Sequence, residues 1–113
     1  MIILSYIFLG WYLKMKKITA NQLYYLLNAN MIELIDIRDP QKFNRGHIEK
    51  SINIPYRYLI TNPHSYLEKQ TMYALICDFG ITSDDAAYKL YNLGYNVVSV
   101  VKGIRSWDYG LIT

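Results

Sequence analysis

Short apolar runs alternate with amphipathic stretches along most of the chain. Thr19 is a good helix N-cap, and Leu23, Leu26 and Leu27 follow it on one helical face. That spacing predicts a helix over Ala20–Leu27. Met31–Ile37 reads as a buried strand, broken by Asp39-Pro40. Proline suits a first helical position, so a short helix is expected from Pro40 to Arg45. Ser51–Ile54 predicts a short strand ended by Pro55. Tyr56–Lys69 is mixed and mainly helical, interrupted at Asn62-Pro63. Thr71–Cys77 predicts another strand, and Thr82–Leu93 a helix stopped at Gly94. Asn96–Val101 is a strand of almost unbroken valines, and Gly103–Tyr109 predicts a last helical turn.

Strands this apolar, separated by helices, indicate an α/β fold: a small parallel sheet with helices on both faces. In such sheets ligands bind beyond the carboxyl ends of the strands. Cys77 falls at one such end, and Asp36, Arg38 and Asp39 at another. No internal repeat or low-complexity segment is present.

The first 17 residues differ from the rest. Residues 1–13 carry no charge, and Lys14, Lys16 and Lys17 follow. We therefore divide the chain into an apolar N-terminal segment with a basic flank, residues 1–17, and a domain over residues 18–113. Thirteen helical residues reach about 20 Å, short of the roughly 30 Å of a bilayer core. Trp11, Tyr12 and the lysines nevertheless resemble a membrane boundary. Three readings stay open: a short anchor with the domain on the cytoplasmic side, the end of a longer anchor, or a segment packed on the domain or a partner. A secretory signal is disfavoured, because no basic residue precedes the apolar run and no small-residue cleavage site follows it.

These three lysines also account for the formal charge of +3. From Ile18 onward nine basic residues balance nine acidic ones. The domain therefore lacks the basic excess of a nucleic-acid binder. A single cysteine excludes an internal disulfide and any Cys-Cys metal motif. It fits a reducing, cytoplasmic setting.

That cysteine carries the candidate chemistry. Cys77 lies between a strand and the N-terminus of a helix, where backbone N–H groups converge and the helix dipole is positive. Such a place favours the thiolate, the reactive form of sulfur. The plain alternative is a thiol that serves as a small buried hydrophobe.

Three blocks then carry a resemblance. The first is Leu34-Ile35-Asp36-Ile37-Arg38-Asp39-Pro40 to Phe43, with Gly46-His47-Ile48 and Ile52-Asn53-Ile54-Pro55. The second is Cys77-Asp78-Phe79-Gly80-Ile81-Thr82-Ser83 followed by Ala86-Ala87. The third is Gly94-Tyr95, Val97–Val101, Gly103 and Trp107. In this order and spacing the chain resembles a single-domain rhodanese, a sulfurtransferase-type family. The resemblance implies that Cys77 takes a sulfur from a donor as a persulfide and passes it to a thiol or another nucleophile. It implies neither metal nor organic cofactor. Amides from Asp78, Phe79, Gly80, Ile81, Thr82 and Ser83 would surround the sulfur as an anion-binding nest. Gly80 permits the tight curve, and Thr82 or Ser83 would cap the helix.

Some positions depart from the family pattern. Asp78 stands where members that use thiosulfate often carry a basic residue. Its carboxylate opposes both a dianionic donor and thiolate formation. Lys42 and Lys102 also depart, with consequences expected for packing rather than chemistry. Asp36 and Arg38 are expected to pair with each other and support the loop. His47 is expected to hydrogen-bond backbone, and Trp107 to pack in the core or close the rim of the site. A rhodanese-like binding module without turnover is the alternative function. A phosphatase of related fold is disfavoured, because no Arg or Lys lies between Cys77 and Lys89 to clamp a phosphate.

Overall fold

The computed structural model describes residues 17–113. The elements run β1 (Lys17–Ile18), α1 (Ala20–Asn28), β2 (Glu33–Asp36), α2 (Pro40–Arg45), β3 (Ile52–Asn53), α3 (Tyr56–Thr61), β4 (Met72–Ile76), α4 (Ile81–Asn92) and β5 (Asn96–Val100). Short 3₁₀ turns occupy Pro63–Ser65 and Gly103–Ser106. The expectation of a membrane anchor falls on residues that lie outside the described ones. Among the described residues no helix is long and apolar enough to cross a membrane.

Helix α1 starts with a reciprocal cap. The Thr19 hydroxyl accepts the Gln22 N–H at 3.1 Å, and the Gln22 side chain accepts the Thr19 N–H at 2.8 Å. Its buried residues Ala20, Leu23, Leu26 and Leu27 recur at helical spacing. Each buried leucine contributes roughly 2 kcal/mol of transfer free energy.

The five strands form one sheet in the order β1-β5-β4-β2-β3, and every neighbouring pair is parallel. Alternate residues of β4 and β5 face opposite layers. Tyr73, Leu75 and Val97 pack with Leu59 of α3 and Ala86, Ala87 and Leu90 of α4. Ala74, Ile76, Val98 and Val100 pack with Leu23, Leu26 and Leu27 of α1. Burial on both faces explains why these strands are nearly continuously apolar.

Two details differ from the sequence pattern. Strand β1 is two residues long and was not anticipated; it exists because Lys17 and Ile18 pair with Ser99 and Val100 of β5. Helix α4 begins at Ile81 rather than Thr82, with Gly80 in the left-handed region as its N-cap residue. Trp107 packs against the α1-side core, one of the two places expected for it. His47 accepts the backbone role expected of it, with Nδ1 2.8 Å from the Phe43 carbonyl oxygen.

Candidate active site

Cys77 follows the last residue of β4, and α4 starts four residues later. Two glycines make the connection sterically feasible. Gly80 has φ +97°, and a Cβ there would lie 2.9 Å from the Lys102 nitrogen. Gly103 has φ +58°, and a Cβ there would lie 2.2 Å from the Cys77 carbonyl oxygen. The close approach lets the turn after β5 bond the cysteine loop. Ile104 N–H donates to the Cys77 carbonyl at 2.8 Å, and Arg105 N–H to the Asp78 carbonyl at 3.3 Å. The loop is therefore held from a second element as well as by its own chain.

Inside this loop the amides of Gly80 and Ser83 point at Cys77 Sγ, at 3.1 and 3.3 Å. The Ser83 hydroxyl lies 3.3 Å from the same sulfur. Each N–H presents the positive end of its dipole, so the loop is arranged to stabilise negative charge on sulfur. Thr82 and Ser83 do not cap α4 as expected; the N-cap residue is Gly80, which has no side chain to bond the helix start. The glycine one turn earlier already opens the helix, which leaves Ser83 inside the first turn. Its hydroxyl turns inward instead, 3.2 Å from the Gly80 carbonyl oxygen and 2.7 Å from Ser99 Oγ. Ser83 and Ser99 are both fully buried. Ser99 escaped the sequence reading, although a lone hydroxyl among the valines of β5 was a visible signal.

Cys77 is 6% exposed, and it forms part of the floor of an open pocket of about 380 Å³. Ile37, Arg38, Asp39, Lys42, Tyr56, Asp78, Phe79, Ile81 and Thr82 line the rest. Phe79 and Ile81 are exposed and give the pocket an apolar rim. Thr82 therefore lines the pocket, whereas Gly80 and Ser83 reach the sulfur from within the protein.

Asp36 and Arg38 stand beneath one wall. Arg38 Nε donates to both Asp36 carboxylate oxygens, and its terminal nitrogen donates to Oδ2 at 2.7 Å and to the Gly46 carbonyl at 2.8 Å. Asn53 donates to the carbonyls of both residues. Asp36 is fully buried and Arg38 nearly so. This pair fixes the wall that Arg38 presents to the pocket.

Two further charges of the pocket, Lys42 and Asp78, are paired. Lys42 Nζ lies 2.6 Å from Asp78 Oδ2, and Arg38 lies 3.9 Å from Asp78 Oδ1. The hydrogen bond and the charge of Asp78 hold the Lys42 ammonium above its ordinary pKa. Lys42 thus belongs to the pocket rather than to packing alone. Its contact with Asp78 spans 36 positions of sequence, so local pattern could not disclose it. Among the described residues no cluster of His, Cys, Asp and Glu could hold a metal ion.

Fold and loop together define a class: a small parallel α/β domain that presents one thiol from an amide-lined strand-to-helix loop. The chain matches the rhodanese-like domain over residues 19–109 and belongs to that family. It is 30% identical over 93 residues to the thiosulfate sulfurtransferase GlpE of Shewanella oneidensis, covering 81% of this chain and 91% of that protein. It is 36% identical over 76 residues to the adenylyltransferase and sulfurtransferase uba4 of Ogataea parapolymorpha, where the match spans 66% of this chain and 20% of that protein. Among solved structures it resembles a rhodanese-related protein from Thermoplasma volcanium, with 35% identity and a TM-score of 0.77 over 85% of this chain and 96% of that one. A rhodanese-like domain protein from Staphylococcus aureus gives 26% identity and a TM-score of 0.76 over 85% and 95%.

Proposed function

We propose that the protein is a sulfurtransferase that carries sulfane sulfur on Cys77. The Cys77 thiolate attacks the outer sulfur of a donor. The donor's S–S bond breaks, and its remainder leaves with the bonding electrons: sulfite from thiosulfate, a thiolate from a persulfide. Cys77 then holds a persulfide. An acceptor thiolate or cyanide attacks the outer sulfur, and Cys77 departs as thiolate. The cycle balances without oxidant, reductant or cofactor.

The observation that carries this reading is the pair of amides aimed at Cys77 Sγ beside an open pocket. Fixed donors of this kind need no reorganisation as charge moves onto and off the sulfur. Asp78 shapes the choice of donor. Lys42 and Arg38 lie against it, so a dianion entering the pocket competes with Asp78 for both cations. The apolar rim of Phe79 and Ile81 instead suits a persulfide borne on a thiol compound or a protein. Asp78 is also the feature that favours an inactive binding module, but Lys42 and Arg38 offset its charge, and the sulfur keeps its donors.

Turnover tests the proposal. The full chain is mixed with hydrogen disulfide as donor and cyanide as acceptor, and thiocyanate is measured. Expected is formation above the uncatalysed rate that Cys77→Ala abolishes. Equal rates for the two proteins would leave only the binding module.

A further inference from the structure

We propose that Ser99 is a positioning residue for the Cys77 sulfur, acting through Ser83. It rests on the reading of Cys77 as a reactive thiol but not on any particular donor or acceptor. Ser99 lies in β5, the strand beside β4, and its neighbours Val98 and Val100 belong to the opposite core. Its side chain therefore sits on the α4 side of the sheet, directly behind the cysteine loop. It is fully buried, and its hydroxyl lies 2.7 Å from Ser83 Oγ.

Proton counting sets the direction of this contact. Each serine hydroxyl donates one proton and accepts more than one. Among the described residues Ser83 Oγ is the hydrogen-bond partner of the Ser99 side chain. A buried donor without an acceptor is costly, so Ser99 donates to Ser83. The Ser83 proton is then directed to Cys77 Sγ at 3.3 Å or to the Gly80 carbonyl at 3.2 Å. As the sulfur becomes negative it is the stronger acceptor, and the proton turns to it. When the sulfur is protonated, its S–H donates to Ser83 Oγ and the Ser83 proton returns to Gly80. Ser99 thus fixes the Ser83 oxygen through one lone pair and leaves its proton to the sulfur or the Gly80 carbonyl. Hydrogen bonds in such a chain strengthen one another. The sulfur receives three donors, and the third is oriented by a residue that never touches it.

Alkylation of the full-length protein by iodoacetamide tests this directly, because Cys77 is the only thiol in the chain. The rate is measured across pH for the wild type, Ser99→Ala, Ser99→Thr and Ser99→Val. Threonine and valine have one shape and differ in the hydroxyl, so that comparison removes volume as a variable. Ser99→Ala is expected to alkylate about fivefold more slowly at neutral pH and to shift the profile to higher pH, the scale of one hydrogen bond. Ser99→Thr keeps the wild-type profile and Ser99→Val follows alanine, even if both lower stability equally. Identical profiles for Thr and Val, or for Ala and the wild type, overturn the proposal. Alkylation requires no sulfur transfer, so a protein that alkylates as expected yet makes no thiocyanate contradicts the proposed function and leaves the role of Ser99 intact.

Discussion

Gly103→Ala is expected to damage the cysteine loop from outside it. The new Cβ would stand 2.2 Å from the Cys77 carbonyl oxygen and 2.8 Å from the carbonyl carbon and oxygen of Asp78. Ordinary contact begins near about 3.5 Å, so one backbone must retreat by about 1 Å. Alanine at positive φ costs about 1 kcal/mol before any clash. Retreat stretches the bonds from Ile104 to Cys77 and from Arg105 to Asp78, each worth about 1 kcal/mol. The expected loss is about 3 kcal/mol. Gly110→Ala is the internal control: its φ is +92°, but no atom lies within 4 Å of the added carbon. It carries the backbone strain alone, about 1 kcal/mol. Urea denaturation of both variants measures the difference, and alkylation of Cys77 reports the loop. If Gly103→Ala costs no more than Gly110→Ala, the two turns do not brace each other as argued.

Other substitutions probe the charges. Asp78→Asn frees Lys42 and Arg38 and should raise kcat/KM for thiosulfate about tenfold relative to hydrogen disulfide, the scale of removing one charge near a dianion; an unchanged ratio would remove Asp78 as the determinant of donor choice. Arg38→Met strands the fully buried Asp36 carboxylate and should cost about 3–5 kcal/mol in urea denaturation, whereas a near-neutral result would show that the pair is dispensable. The Asp85 carboxyl is held below its ordinary pKa by the Tyr56 hydroxyl first and by Lys89 second. This contribution is complete above the ordinary carboxylate value and is lost as pH falls through the lowered one. Asp85→Asn should therefore flatten that part of the acid denaturation curve, and an unaltered curve would contradict the assignment.

Much of the fold was legible because local chemistry agreed with it. Thr19 with Gln22, Pro40 at a helix start and Gly94 at φ +95° each mark a boundary by their own preferences. The candidate site was legible only in part. Cys77 was located by its place between strand and helix, and Gly80 by the need for positive φ. Lys42 and Ser99 were not, because each acquires its role from a partner distant in sequence, Asp78 and Ser83. Strand β1 escaped for the same reason: two residues have no period, and only pairing with β5 makes them a strand. Lys102, which stands where the family usually has glycine, departs at a cost. It sits at φ +62°, a conformation that glycine adopts more cheaply.

The proposed chemistry rests on one sulfur atom and the amides aimed at it. Intact mass measurement of the full chain after brief exposure to hydrogen disulfide tests it most directly. The protein is expected to gain one sulfur that maps to Cys77, is removed by cyanide and is absent in Cys77→Ser. A protein that gains no sulfur, or gains it equally in Cys77→Ser, contradicts the account.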